Sequence, residues 1–257
     1  MIPKPIITHW RSLAPWPIDD QVEQDLVISR ALVQLFNNEY LKDKVAFRGG
    51  TALHKLIFPS PLRYSEDIDL NRLEKGPAKL IIDAVRASLQ DMLGEAKKIK
   101  STKNSVKIFF DYKSIGGNTS RLKIEINTRE TLPQENLQKI PYSVNSEYFK
   151  GEALINAFDR EEMIGTKIRA LYQRNKGRDL FDLFKLSEID GIDWNKVTAS
   201  FLKLKIGASA KNISANLELK MQDSEFLEDI NPLLPSNVKY DVQEAFDWFM
   251  NQIIPKI

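Results

Sequence analysis

The chain has 257 residues, 42% of them hydrophobic, which is enough to bury a sizeable core as one large domain or two smaller ones. It contains no cysteine and only two histidines, His9 and His54, which excludes disulfides, thiolate zinc sites and a cysteine nucleophile and argues against histidine-built metal sites or a serine–histidine triad. The net charge of +2 is uneven: from Ser187 onward 7 basic residues stand against 11 acidic, a net of −4, leaving 30 against 24, a net of +6, in residues 1–186, which suits a polyanionic ligand or an unevenly charged solvated surface.

In chain order, a lead-in marked by Pro3, Pro5, Pro15 and Pro17 precedes a stretch in which Val22, Leu26, Val27, Leu32, Val33 and Phe36 recur near helical spacing. This spacing predicts a helix from Ile18 to Tyr40, with Asp19 and Asp20 where a helix N-terminus favours negative charge. Lys44 to Arg48 reads as a strand, Gly49-Gly50 breaks it, Thr51 opens a short helix through Ile57, and Pro59 and Pro61 end that helix. Ser65 to Leu70 reads as a second strand, and Gly76-Pro77 introduces a helix over 78–93. From Lys97 to Phe158 the runs "SVKIFFDYK", "RLKIEINTR" and "GEALINAF" predict strands, separated by "SIGGNTS" and by a proline-containing loop. At "DREE" a capping box, Asp159 as N-cap with Glu162 at the third helical position, opens a run of helices at about 160–174, 178–188, 193–205, 209–221 and 241–254. The expected architecture is α+β: a domain of mixed sheet and helices over 1–158, followed by a helical domain over 159–257. "MIPKPIITHW" lacks the apolar stretch of a secretory signal, and no apolar run approaches the ~20 residues that span a bilayer, so no membrane association and a cytoplasmic location are expected.

The densest chemistry lies in "FRGGTALHKLIFPSPLRYSEDIDL", residues 47–70. On a strand, Asp67 and Asp69 point to the same face. Two carboxylates so close repel each other unless a hard cation sits between them, and Mg²⁺ accepts carboxylate oxygens while keeping phosphate oxygens and waters as further ligands. At the other end, Gly49-Gly50 lets the backbone approach a ligand, and the amides opening the Thr51 helix suit phosphate. The hydroxyl of Thr51 or Ser65 is a candidate donor to phosphate oxygens, and Arg48 or Arg63 a candidate counter-charge. The two ends thus match the two parts of one ligand, a triphosphate and its metal. Taken singly, each feature also has a plainer reading, a turn for the glycines and an exposed strand face for the aspartates.

Gly49-Gly50-Thr51-Ala52-Leu53 followed by Arg63-Tyr64-Ser65-Glu66-Asp67-Ile68-Asp69-Leu70 resembles the nucleotidyltransferase superfamily of DNA polymerase beta, and more closely the AbiEii/AbiGii-type toxin nucleotidyltransferases, which carry G-G-T-A-L and then R-x-S-x-D-I-D-L. The resemblance extends to a lysine-bearing helix and an R-D-x-x-D-L element, here Lys167 in "MIGTKIRALYQR" and Arg178-Asp179-Leu180-Phe181-Asp182-Leu183. It implies a polymerase-beta-like nucleotidyltransferase domain, an NTP substrate, an acceptor that includes RNA and a tRNA 3′ end, and a cognate antitoxin. Asp67 and Asp69 would hold the metal, and Lys167, with Asp179 or Asp182, would act at the triphosphate. Arg178 can pair with Asp182 four residues on, as part of a salt-bridged helix pair.

Two-metal transfer calls for a third carboxylate on a neighbouring strand, to complete the metal site and help deprotonate the attacking hydroxyl, and Glu125 is the candidate for it. The alternation in "RLKIEINTRE" puts Glu125 on the polar face with Lys123 and Asn127, against an ordinary solvent-facing role; Asp111 is a lesser candidate. His54 reads as a surface residue, Trp194, Phe246 and Trp248 as core, and Lys97, Lys98, Lys100, Lys103 and Lys107 as an edge that resists aggregation more than a nucleic-acid track. The expected activity is Mg²⁺-dependent transfer of NMP to an acceptor hydroxyl; the rival readings are a protein-modifying nucleotidyltransferase and a nucleotide-binding module without turnover.

Overall fold

A computed structural model describes residues 2–129, 133 and 136–257. The chain divides into two units, Met1–Phe158 and Asp159–Ile257. The first contains α1 (Lys4–Trp10), α2 (Asp19–Phe36), β1 (Val45–Arg48), α3 (Gly49–Leu56), β2 (Asp67–Arg72), α4 (Ala78–Leu93), β3 (Lys98–Ser101), β4 (Ser105–Lys113), β5 (Thr119–Asn127), β6 (Gln138–Asn145) and β7 (Lys150–Ala157). Among the described residues these strands form one seven-stranded sheet in the order β3-β4-β5-β2-β1-β7-β6. The sheet is mixed, since β2 runs parallel to β5 and β1 parallel to β7, while the remaining pairs are antiparallel.

Alternation decides which face is buried. Ile68 and Leu70 of β2, Val106, Ile108 and Phe110 of β4, and Leu122, Ile124 and Ile126 of β5 are all buried, and α2 and α4 pack against these strands. The intervening residues, Asp67, Asp69, Lys107, Lys123 and Glu125 among them, are left on the other face.

α2 is held by buried polar groups as well as by its apolar stripe. Asp25 accepts from the indole of Trp10 (2.9 Å), from that of Trp16 (3.4 Å) and from the ammonium of Lys55 on α3 (2.7 Å), which also donates to Ser29 (3.0 Å). This buried pair fixes α3, and so the glycines that open it, against α2. Glu23, fully buried, accepts the backbone amides of Ile2 (3.1 Å) and Ile115 (2.6 Å), pinning the N-terminus and the β4–β5 turn.

The helix expected to reach Tyr40 stops at Phe36. Asn38 Oδ1 accepts the amides of Tyr40 and Leu41 (3.0 Å each), a side-chain turn that competes with further helix. The lead-in contains α1, which begins just after Pro3 and carries Pro5 in its first turn, where proline is tolerated. The stretch read as a proline-containing loop holds strand β6; residues 130–132 and 134–135 of it lie outside the described residues. Pro141 lies within β6, at the rim of the sheet where a missing amide costs little.

The second unit comprises α5 (Arg160–Gln173), α6 (Arg178–Ser187), α7 (Trp194–Lys203), α8 (Ala210–Lys220), α9 (Ser224–Glu228) and α10 (Val242–Trp248), which runs on into a π turn over Phe249–Ile253. Asp159 caps α5 by accepting the Glu161 amide (3.2 Å). Its other end is capped from α8, where the Lys220 ammonium donates to the carbonyls of Leu171, Tyr172 (3.1 Å) and Arg174 (2.9 Å). Trp194 and Trp248 meet edge to face at 5.2 Å, and each remains half-buried. No helix among the described residues is long and apolar enough to cross a membrane.

The Lys55–Asp25 pair generates a test. Lys55→Met leaves the Asp25 carboxylate buried without its counter-charge, and urea unfolding is expected to show a loss of about 3–5 kcal/mol; a loss below about 1 kcal/mol, the scale of an exposed pair, would show that the pair does not hold α3.

Candidate active site

The site begins where β1 turns into α3. Arg48 is extended, Gly49 adopts φ +83°, and the helix starts at once. A Cβ on Gly49 would lie 2.4 Å from Asp69 Oδ2, so the position requires glycine twice, for its left-handed backbone and for the carboxylate pressed against it. No side chain caps α3, which leaves its first amides available to an anion.

Strand register assembles the rest. Antiparallel pairing sets Arg48 opposite Asp69, and parallel pairing sets Asp67 beside Lys123 and Asp69 beside Glu125. On the far side of β5, Lys107 stands opposite Glu125. One face thus carries Asp67 and Asp69 with Glu125 one strand away, as the alternation predicts, together with two lysines that the motif gives no reason to expect there. Lys123 Nζ lies 2.8 Å from Asp67 and 3.4 Å from Glu125, and Lys107 Nζ lies 3.2 Å from Glu125. The sequence places Lys123 on the polar face, but its pairing with Asp67 depends on a register between strands about fifty residues apart.

The electrostatics follow from crowding. Burial and then the charge of Asp67 push the Asp69 carboxyl above the ordinary carboxylate range, against the opposing pull of Arg48. Burial also raises Asp67, though the hydrogen bond and charge of Lys123 pull it back. Lys123 is lowered by burial but raised more by Asp67, Asp69 and Glu125, and ends above its ordinary value.

The other expected phosphate ligands are largely committed within the protein. The buried Thr51 hydroxyl donates to the Asp67 carbonyl (2.5 Å) and lies 2.7 Å from the Ser65 hydroxyl, so both tie α3 to the start of β2. Arg63 is almost fully buried and donates to the Tyr64 carbonyl (3.0 Å). Arg48 is half-buried, 3.4 Å from Asn71 Oδ1. Gln24 of α2 braces the segment before β2 by donating to the Glu66 carbonyl (3.0 Å) and the Arg121 carbonyl of β5 (3.1 Å). Asp111 is held by both Arg121 nitrogens (2.6 and 3.0 Å) as a surface pair. His54 is buried and stacks on Phe58 at 4.7 Å, which corrects the surface reading.

In the second unit, Lys167, Asp179 and Asp182 form one buried cluster. Lys167 Nζ lies 3.0 Å from Asp179 and 2.7 Å from Asp182, and both carboxylates are fully buried. Arg174 adds two bonds to Asp179 (2.5 and 2.7 Å). Burial alone would raise the Asp179 carboxyl; Lys167 and Arg174 outweigh it and hold it below the ordinary range. Arg178 pairs with Asp229 (3.1 Å) in place of the expected Asp182, because α6 brings Asp182 inward to Lys167 and leaves Arg178 beside the segment that follows α9. Asp229 lies 51 residues along the chain from Arg178, beyond any local spacing rule.

Among the described residues no set of three or more His, Cys, Asp or Glu side chains is arranged to hold a metal ion. The Asp67–Asp69 pair nonetheless fits magnesium, which takes one or two protein carboxylates and fills its shell with phosphate and water. Two carboxyls raised by burial, Asp69 further by the charge of Asp67, beside a glycine that keeps a Cβ out of the way, form a donor set that a hard cation satisfies.

Comparison with known proteins places the chain in a family. The model of the family described as "Nucleotidyl transferase AbiEii toxin, Type IV TA system" matches residues 30–252. No curated protein matches the chain. Among solved structures, the nucleotidyltransferase toxin MenT4 of Mycobacterium tuberculosis H37Rv superposes with a TM-score of 0.64 at 13% identity, over 100% of this chain and 91% of its own, a likeness of fold. An antigenic nucleotidyltransferase-like protein from Paracoccidioides brasiliensis aligns at a TM-score of 0.39 and 16% identity, over 82% of this chain and 94% of its own.

Lys167→Met separates a structural role of the buried cluster from a direct role at phosphate. It leaves two buried carboxylates short of a counter-charge and is expected to cost about 3–5 kcal/mol in chemical denaturation; unchanged stability with a raised KM for nucleotide would instead mark Lys167 as a phosphate ligand.

Proposed function

The chain belongs to the AbiEii family of nucleotidyl transferase toxins of type IV toxin-antitoxin systems, and from that premise we propose that it transfers NMP from an NTP to a hydroxyl of an RNA acceptor, a tRNA 3′ end in particular, with Mg²⁺ at Asp67 and Asp69. Family membership itself implies a nucleotide substrate and a cognate antitoxin. The observation that carries the reading is the Asp69 carboxylate seated against Gly49, which puts an anion-accepting helix start and a cation-accepting acidic pair at a single point.

In this reading the first amides of α3 receive phosphate oxygens, and Asp67 and Asp69 receive the metal. Mg²⁺, when bound, neutralises phosphate charge and polarises the attacking hydroxyl. The acceptor oxygen forms a bond to the α-phosphorus, the bond from that phosphorus to the bridging oxygen breaks, and pyrophosphate leaves with the electron pair. Glu125, beside Asp69 on the neighbouring strand, would take the hydroxyl proton. Thr51 and Ser65 act by holding the β2 backbone under Asp67, and the Lys167 cluster with Asp179 and Asp182 by bracing the second unit.

The sheet supports RNA as the acceptor. Register carries the face of Asp69 and Glu125 across Lys107 to Lys100, and across Phe109 to Lys98 on the outermost strand. Lys98 and Lys100 are exposed, and Arg121 lies over the Phe109 ring at 5.8 Å. Cations interleaved with an aromatic ring on an open sheet face are what a single strand needs for its backbone and one base. The span from β2 to β3 is three strand spacings, about 14 Å.

Incubation with each α-labelled NTP, Mg²⁺ and total tRNA tests the assignment. Label is expected on RNA; label on polypeptide alone, or on nothing, would reject the acceptor. Asp67→Asn removes a metal ligand, and Gly49→Ala displaces the Asp69 carboxylate; each is expected to lower transfer by about 100-fold or more. Lys98→Glu with Lys100→Glu is expected to raise the RNA KM and to flatten its dependence on log salt by about 1.4, from ~0.7 per phosphate contact on a single strand.

A further inference from the structure

Away from the transfer site, the first unit holds a largely buried cation that has no side-chain partner among the described residues. Arg72, the last residue of β2, is only 8% exposed. Its carbonyl accepts from Asn71 (3.2 Å), but its guanidinium makes no hydrogen bond or ion pair among the described residues. Other deeply placed cations are served differently: Lys55 by Asp25, Arg63 by the Tyr64 carbonyl, Lys167 by two aspartates, Lys220 by three carbonyls. The guanidinium nitrogens are not among the side-chain atoms sealed from solvent without a partner, and their five donors form a fork matched to oxyanions.

The guanidinium lines a cavity of about 210 Å³ whose wall also includes Lys44, Lys75, Gly76 and Pro77. Gly76, at φ +157°, brings the backbone so close that a Cβ there would lie 2.8 Å from Arg72 Nη2. Pro77 is the N-cap of α4, a 16-residue helix whose first turn receives no side-chain cap, so further amides lie at the same end of the helix. The cavity also holds one carboxylate, Glu74, engaged by Lys44 at 2.6 Å. Three cations against one anion leave a net of two positive charges.

We propose that this cavity is a phosphate-binding site, with Arg72 as its bidentate anchor and Lys44, Lys75 and the start of α4 around it. A net of two positive charges suits a phosphate dianion. The volume falls below the roughly 300–1,000 Å³ of pockets that enclose whole drug-sized ligands, so the cavity takes a phosphate group and leaves any nucleoside outside. It is separate from the transfer site: the period of two along β2 turns Arg72 to the face opposite Asp67 and Asp69, about 10 Å along the strand from Asp69. The proposal does not depend on the transfer chemistry.

The test is unfolding and calorimetry of the full chain in buffer free of multivalent anions, with inorganic phosphate or adenosine 5′-monophosphate added against chloride at matched ionic strength. Phosphate is expected to raise the unfolding midpoint of the wild type, and Arg72→Met to lower its affinity by 10-fold or more. Without phosphate, Arg72→Met is expected to unfold no earlier than the wild type, because it removes a charge that had no partner; an arginine acting only as a structural brace would behave oppositely. Lys75→Gln, at an exposed position, is expected to weaken phosphate several-fold without moving the phosphate-free midpoint, which keeps the test valid should Arg72→Met fold poorly. Asp69→Asn is expected to retain the response, separating it from phosphate bound at the transfer site. An Arg72-dependent response to the nucleotide alone identifies the phosphate as carried by a nucleoside. No response of the wild type beyond chloride, or responses of Arg72→Met and Lys75→Gln equal to that of the wild type, overturns the proposal.

Discussion

The candidate site rests on one close approach, that of the Asp69 carboxylate to the backbone of Gly49. It joins the strand that carries the acids to the helix that offers free amides, and it is available only because position 49 has no side chain. Several features described above serve to keep that approach in place. Lys55 anchors the helix to Asp25, the Thr51 and Ser65 hydroxyls tie the helix to the strand, and Gln24 clamps the chain just before the strand to β5. Polar groups within the GGTAL and S-x-D-x-D segments thus divide their work. Glycine and aspartate make the close approach at the candidate site, while threonine and serine fix the distance between them.

What could be read from the sequence was what local spacing controls. The order of strand, Gly-Gly-Thr, helix and alternating aspartates is contained within about twenty-five residues, and the same-face placement of Asp67 and Asp69 follows from the strand period alone. The helix over 78–93 and the Asp159 cap are likewise local and appear where the pattern puts them. What escaped depends on contacts distant in sequence. Lys107 and Lys123 enter the acidic face through inter-strand register, Arg178 finds Asp229 across 51 residues, and His54 is buried because the neighbouring elements close over a helix too short for its own periodicity to reveal its inner side. β6 was hidden by Pro141, which argues against a central strand but not against a rim.

Charge is handled in three ways in this molecule. On the open sheet face, acids and lysines alternate at partial exposure, so their interactions stay adjustable when a ligand arrives. In the second unit, Lys167 is enclosed with Asp179 and Asp182, where separating any member would strand a charge out of water. At the end of β2, Arg72 has no acid paired with it among the described residues, since Glu74 of the neighbouring cavity is engaged by Lys44.

The two rims of the sheet have a consequence for the molecule at high concentration. One rim is a four-residue strand, exposed along its length, with lysines at two positions; the other lacks an amide at Pro141. Neither offers a second copy the long, flat, uncharged ladder on which strands of separate molecules add end to end. These borders let a seven-stranded sheet stay open-ended without templating its own assembly.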